Sequence, residues 1–232
     1  MGVDFPQVRF LDHCARKGAF KDPMLSLGSL TIQEPEDIIV KYARDWGYSR
    51  LEAEKSGRAF FAERYGVNSY TDCDVNGLAD EYIDLGLPLP DKFKNKFMTI
   101  FNGGTLEHVF DMRQAIENIH DALVVGGVVI HTTPTSWIDH GFVNHNPIMH
   151  HLVAQANDYE TIAEATYYHV GTFEGQARPI VSVYEIDDEI PGFGRRNSEM
   201  FKGSYVPANS MHLIALRKTI DKPFTIPTQV AY

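Results

Sequence analysis

The chain is poor in cysteine: Cys14 and Cys73 are the only two in 232 residues. Two thiols make no disulfide framework and have no metal-ligand spacing, which predicts a reducing, cytoplasmic setting. Long apolar runs are also missing. No stretch reaches the ~18 apolar residues that a membrane helix needs, and the opening MGVDFPQV has an acid and a proline where a secretory signal has a basic and then an apolar run. Pro6 stands where an N-myristoylation signal has Ser or Thr. Positive charge is the third scarcity: 21 Lys and Arg face 31 Asp and Glu, for a net charge of −10. A nucleic-acid backbone or an anionic membrane needs a basic face, so neither is expected as principal partner. The knots Arg195-Arg196 and Lys92 to Lys96 read as solvated surface. A small-molecule partner fits this balance, and a homo-oligomer stays open.

What is present is enough apolar residue, 44%, for one substantial core, so residues 1–232 are read as a single domain. Met24 to Leu27, ended by Gly28, reads as a buried parallel strand. The pattern from Pro35 to Tyr65 is helical, with acids at Glu34, Glu36 and Asp37 and a stop at Gly66. Val67 to Cys73 and Asp80 to Leu85 read as the next two strands, and Leu87-Pro88-Leu89-Pro90 ends the second of them. Phe97 to Phe101 is a strand closed by Asn102-Gly103-Gly104. Asp111 opens a helix through Ala115, Ile116, Ile119, Ala122 and Leu123 that Gly126-Gly127 stops before the strand Val128 to Ile130. Pro147 to Asn157 is helical and Thr161 to Val170 β-rich, residues 171–209 read as an insertion with a strand at Ile180 to Ile186, and Ser210 to Arg217 is a last strand. The alternation predicts a mostly parallel sheet with helices on both faces.

Ligands of such sheets sit at the carboxyl ends of the strands, where the strand order reverses. The segments to watch are therefore Gly28-Ser29, Asp72 to Asp74, Asn102 to His108 and Thr132 to His140. A carboxylate after the second strand can accept both hydroxyls of a ribose; Asp72 is the first choice and Asp74 the second, the plainer alternative being that they cap the next turn. His140, His145, His150 and His151 lie close in sequence beside Asp139, but H-x4-H-x4-H-H matches no diagnostic metal pattern and no metal is expected. His150 and His151 are expected on the surface of their helix, and His131 in the core.

The run Asn102-Gly103-Gly104-Thr105-Leu106-Glu107-His108-Val109-Phe110-Asp111, followed by Ala115-Ile116 and by Gly126-Gly127-Val128, resembles class I S-adenosylmethionine (SAM) dependent methyltransferases. In that superfamily an LEHV segment follows the fourth strand and a double glycine precedes the fifth. Asp139-His140-Gly141-Phe142-Val143-Asn144 with Asn146-Pro147 resembles the HGF-type motif of a bacterial subgroup, as does the tail Lys222 to Pro227. The resemblance implies a Rossmann-like, mostly parallel seven-stranded sheet with an antiparallel C-terminal strand, and SAM as cofactor. It places Gly28 and Ser29 near the amino-acid part, Asp72 or Asp74 at the ribose, Asp84 near the adenine, and Asn102 with Gly103 beneath the sulfonium.

On the acceptor side, Glu107, His108 and His140 are the candidate catalytic groups, and Asn144 and His145 the candidate substrate-binding ones. Methyl transfer to a hydroxyl or amine needs a base, and these residues stand after the fourth and fifth strands. The plainer alternatives are a capping acid for Glu107 and a structural ring for His108. The expected acceptor is a small molecule, such as a sugar or nucleotide-sugar. The family's glycine-rich first loop is reduced here to Leu27-Gly28-Ser29-Leu30. That single glycine supports a second reading, a non-catalytic member of the fold, and a third is a metal-dependent hydrolase using Asp139, His140 and His145.

Overall fold

The computed structural model describes residues 2–3, 5–32, 57–168 and 210–229. In chain order these form β1 (Gly2–Val3), α1 (Phe5–Arg16), β2 (Met24–Leu27), β3 (Thr31–Ile32), α2 (Gly57–Tyr65), β4 (Tyr70–Asp74), β5 (Glu81–Tyr82) and β6 (Phe97–Asn102). Then come α3 (Met112–Ala122), β7 (Leu123–Pro134), α4 (Pro147–Ala156), β8 (Tyr159–Tyr168) and β9 (Ser210–Lys218). Seven strands make one sheet in the order β5-β4-β2-β6-β7-β9-β8, while β1 and β3 pair separately. The pairings from β5 through β7 are parallel, and β9 runs antiparallel to both β7 and β8. Strand order therefore reverses between β2 and β6, and a crevice at their carboxyl ends follows from the chain leaving them in opposite directions.

Each face of the sheet carries its own core. Val8, Phe10 and Leu11 of α1 and Phe60 and Phe61 of α2 pack with Met24, Phe101, Val128 and Ile130. Ala115 and Ile119 of α3 and Ala154 of α4 pack with Leu25, Ile100, Val129 and Ile214 on the other face. Strand alternation explains the division, because neighbouring residues of one strand point to opposite sides. All four residues of β2 are buried, as expected of a central parallel strand covered on both faces. Helices α3 and α4 begin on capping side chains: Asp111 accepts from the backbone of Gln114, and Asn146 from that of Ile148 ahead of Pro147. At the other end of α3, buried Lys218 donates from Nζ to the carbonyls of His120 and Leu123, satisfying groups the helix leaves open.

Several expectations change. Gly126-Gly127 does not stop a helix: α3 ends at Ala122, β7 starts at Leu123, and the pair lies inside the strand. Gly126 has φ +82° and the β6–β7 register shifts between Phe97 and Thr99, so the glycines form a bulge. The second strand begins at Tyr70, the third is only Glu81–Tyr82, and β8 begins at Tyr159. β9, the last strand, lies between β7 and β8. The expected insertion 171–209 with its strand, and the acidic helix opening at residues 34–37, lie outside the described residues. Among those described, no helix is long and apolar enough to cross a membrane.

Candidate active site

The first loop is held down at the carboxyl end of β2. Gly28 has φ +87°, a left-handed conformation that glycine adopts without strain, and its N–H donates to Cys73 O at 2.7 Å. The next N–H, of Ser29, donates to Asp74 Oδ2 at 3.1 Å, and Asp74 Oδ1 accepts from Val75 and Asn76. The Ser29 hydroxyl is buried with no hydrogen-bond partner among the described residues. Asp72 is engaged differently. Its Oδ1 accepts from Asp80 N at 2.8 Å while its own N–H donates to Asp80 Oδ2, a reciprocal pair that ties β4 to the following turn. Burial holds the Asp72 carboxyl above its ordinary range. Asp84, exposed after β5, accepts from Gly86 N.

Across the crevice, buried Asn102 ends β6 and organises the segment that follows. Its Oδ1 accepts from the N–H groups of Thr105 and Leu106, and its Nδ2 lies 3.3 Å from His131 Nδ1. Since an amide whose oxygen accepts both backbone bonds presents its NH2 to the ring, His131 accepts there. The Thr105 hydroxyl donates to Leu27 O, joining this segment to the end of β2. At Gly103 a Cβ would stand 2.7 Å from the Phe101 ring and 3.0 Å from Leu30, so close packing of the chain on itself requires glycine. Asn102 and Gly103 thus form the floor between β2 and β6, with the Asn102 side chain occupied by the loop and the neighbouring strand.

The turn at Leu106–His108 buries Glu107 to 1% exposure and leaves His108 outside. Loop 135–146, delivered by β7, closes over it: Phe142 N donates to Glu107 O at 2.8 Å, and a Cβ on Gly141 would come within 2.6 Å of that carbonyl. This contact brings the His140 ring to 5.0 Å from that of His108 and to 4.7 Å from that of Trp137. Phe110 and Phe142, both exposed, meet edge to face at 5.5 Å on the rim. Burial pushes the Glu107 carboxyl up to about 7, and Oε2 has no partner among the described residues. Burial and the nearby His140 hold His108 below its ordinary value, so it is neutral at neutral pH.

The structure thus brings Glu107, His108 and His140 together and separates the other two candidates from them. Asn144 spends its amide on both backbone groups of Trp137, bracing the loop. His145 is buried and stacks on His150 at 5.5 Å, away from the exposed rings of the cleft. His150 is itself buried and His151 bonds Glu164, so these two do not decorate a helix surface: α4 turns them toward the sheet. Trp137 and Gly141 belong to the site as well, Trp137 through its ring beside His140 and Gly141, part of the HGF-type motif, through its close approach to Glu107.

No family model matches the sequence, and no curated protein does. Solved structures resemble it at low identity. A SAM-dependent methyltransferase from Archaeoglobus fulgidus superposes with a TM-score of 0.47 at 10% identity, covering 92% of this chain and 95% of that one. Another, from Thermotoga maritima, gives 0.40 at 12% identity, covering 91% of each chain. With its parallel strands reversing order between β2 and β6 and the antiparallel β9 set between β7 and β8, the chain has a Rossmann-like α/β fold.

Proposed function

We propose that the protein transfers a methyl group from SAM to a small-molecule acceptor held against Glu107, His108 and His140. The observation that carries this reading is the buried Glu107 carboxyl, with Oε1 3.7 Å from the His140 ring and Oε2 without a partner among the described residues, at the strand ends where the sheet order reverses. The residues of the first loop fit the cofactor: Gly28 makes the left-handed turn that ends β2, the buried Ser29 hydroxyl has no partner among the described residues, and Asp74 stands at the end of β4. Asp74 is preferred to Asp72 as the ribose acceptor because of its place: its Oδ2 meets the first loop at Ser29 N, whereas Asp72 meets the turn at Asp80. When bound, SAM supplies an electrophilic methyl on a sulfonium.

The chain's part is to orient the acceptor, exclude water and remove a proton. His108 is neutral and can take the proton of a hydroxyl or amine, and so can His140 when its ring is neutral. As positive charge forms on the His140 ring, the Glu107 carboxyl beside it ionises more readily, so a proton lost from one group is compensated at the other. The exposed Phe110–Phe142 pair gives an acceptor an apolar rim, and one ring's face there suits the ring face of a sugar or nucleotide-sugar. The two buried, unpaired thiols support a cytoplasmic setting.

Calorimetric titration of the purified chain with SAM and with its demethylated product tests the reading. Binding of both is expected, weakened about tenfold or more by Asp74→Ala, since a hydrogen bond to a charged group is worth ~1.5–3 kcal/mol. Absence of binding to either would favour the non-catalytic reading, which the single-glycine first loop supports.

A further inference from the structure

The most concentrated unexplained chemistry lies on the sheet face covered by α4. The rings of His131 and His150 are 4.9 Å apart, those of His150 and His212 5.4 Å, and those of His151 and His212 6.3 Å, while His145 stacks on His150. A core built only to pack has no use for so many imidazoles. Among the described residues, one acid stands with them. Glu164 on β8 presents a single oxygen, Oε1, to His151 Nε2 of α4 at 2.9 Å and to His212 Nε2 of β9 at 2.8 Å.

We propose that His151, Glu164 and His212 form a binding site for one divalent transition cation of the zinc class, separate from the methyl-transfer cleft. Their ligand atoms all lie within 4.8 Å of one another. Two imidazoles and one carboxylate are the donor set that suits zinc, cobalt or iron(II), whereas magnesium and calcium take oxygen ligands. The three residues come from a helix and two paired strands, so the packed fold holds the donors in place without a loop to order.

The surroundings point the same way. Both nitrogens of His145 and Nδ1 of His212 are buried without a hydrogen-bond partner among the described residues, so this region holds more polar capacity than those residues satisfy. Coordination through Nε2 needs the proton on Nδ1, and no donor bonded to Nδ1 of His212 opposes that tautomer. His212 is fully buried and Glu164 nearly so, but the His151 side chain is 32% exposed. An ion therefore enters past His151, where a water completes the coordination that three protein ligands leave open.

The test uses the full chain, stripped with a chelator and titrated with zinc(II) by calorimetry and with cobalt(II) by visible absorption. One equivalent is expected, with the intense visible bands of low-coordinate cobalt. Glu164→Gln and His151→Ala should each weaken binding on the order of tenfold to a hundredfold, and His140→Ala should leave it unchanged. The last variant matters because Glu107, His108 and His140 also bring ligand atoms within 4.8 Å of one another. Circular dichroism verifies folding. Should Glu164→Gln fail to fold, His151→Ala decides, since His151 is partly exposed. The proposal is overturned if the folded chain binds neither ion, or if binding survives His151→Ala. Loss of binding in His140→Ala would also overturn it and assign the ion to the cleft. SAM affinity is a separate readout, so failure here leaves the proposed methyl transfer standing, and the reverse.

Discussion

Glu107 Oε1 lies 3.7 Å from His140 Nε2, although the Glu107 side chain is 1% exposed and that of His140 38%. The pair therefore spans the boundary between the protein interior and the mouth of the crevice, and its energetics follow from that position.

Burial raises the Glu107 carboxyl from an ordinary 4.5 to about 7, so between those values the folded chain holds a proton that the unfolded chain has released. Stability from this residue is therefore full below pH 4.5 and is lost as pH rises toward 7. Glu107→Gln, which stays neutral, is expected to be the more stable protein at pH 8, by up to about 3 kcal/mol, and to lose that advantage at pH 4.5. Urea denaturation at the two pH values checks this; an equal effect at both would mean the carboxyl ionises normally.

His108→Ala and His140→Ala should each lower kcat by ~10²–10⁴, the range for losing general-base assistance, while leaving SAM affinity unchanged. Turnover assays and calorimetry on the same preparations separate the two quantities. A fall in thermal stability with unaltered turnover would return His108 to a structural role.

Gly141→Ala should act at a distance from the acceptor. The added methyl would meet the Glu107 carbonyl at 2.6 Å, a backbone atom that cannot swing away, so loop 135–146 must lift and carry His140 with it. Misplacing a catalytic group by ~1 Å costs on the order of a hundredfold in rate. Steady-state kinetics should show that loss beside a near-native melting temperature, and unimpaired turnover would mean that the loop relaxes without moving His140.

Asn118 is a prediction about stability alone. Its buried amide accepts from Leu89 N and Gln114 Nε2 and donates to the carbonyls of Leu85 and Leu87, tying the proline-rich segment to α3. Asn118→Leu strands those backbone groups and should cost about 2–4 kcal/mol in chemical denaturation. A change below ~0.5 kcal/mol, the scale of an ordinary surface substitution, would show that the segment is held by other contacts.

The sequence by itself determined the elements whose signals are local. Met24 to Leu27 and Phe97 to Phe101 are apolar runs ended by turn residues, and the α3 stripe with its Asp111 cap is short-range periodicity, so each can be read in one window. The order of chemistry along the chain was legible for the same reason, and with it the expectation that Glu107, His108 and His140 stand at one edge. The Gly126-Gly127 bulge was not, because a glycine pair reads alike as a helix stop or a strand irregularity until the partner strand sets the register. The same limit applies to Asp72 and Asp74: two acids two residues apart on one strand are equivalent until Asp80 claims one and the first loop meets the other. His150 and His151 read as surface because polarity predicts exposure. Only the packing of α4 against β8 and β9 turned them inward, since Glu164 and His212 are 48 residues apart and the contact between them exists in the tertiary structure alone.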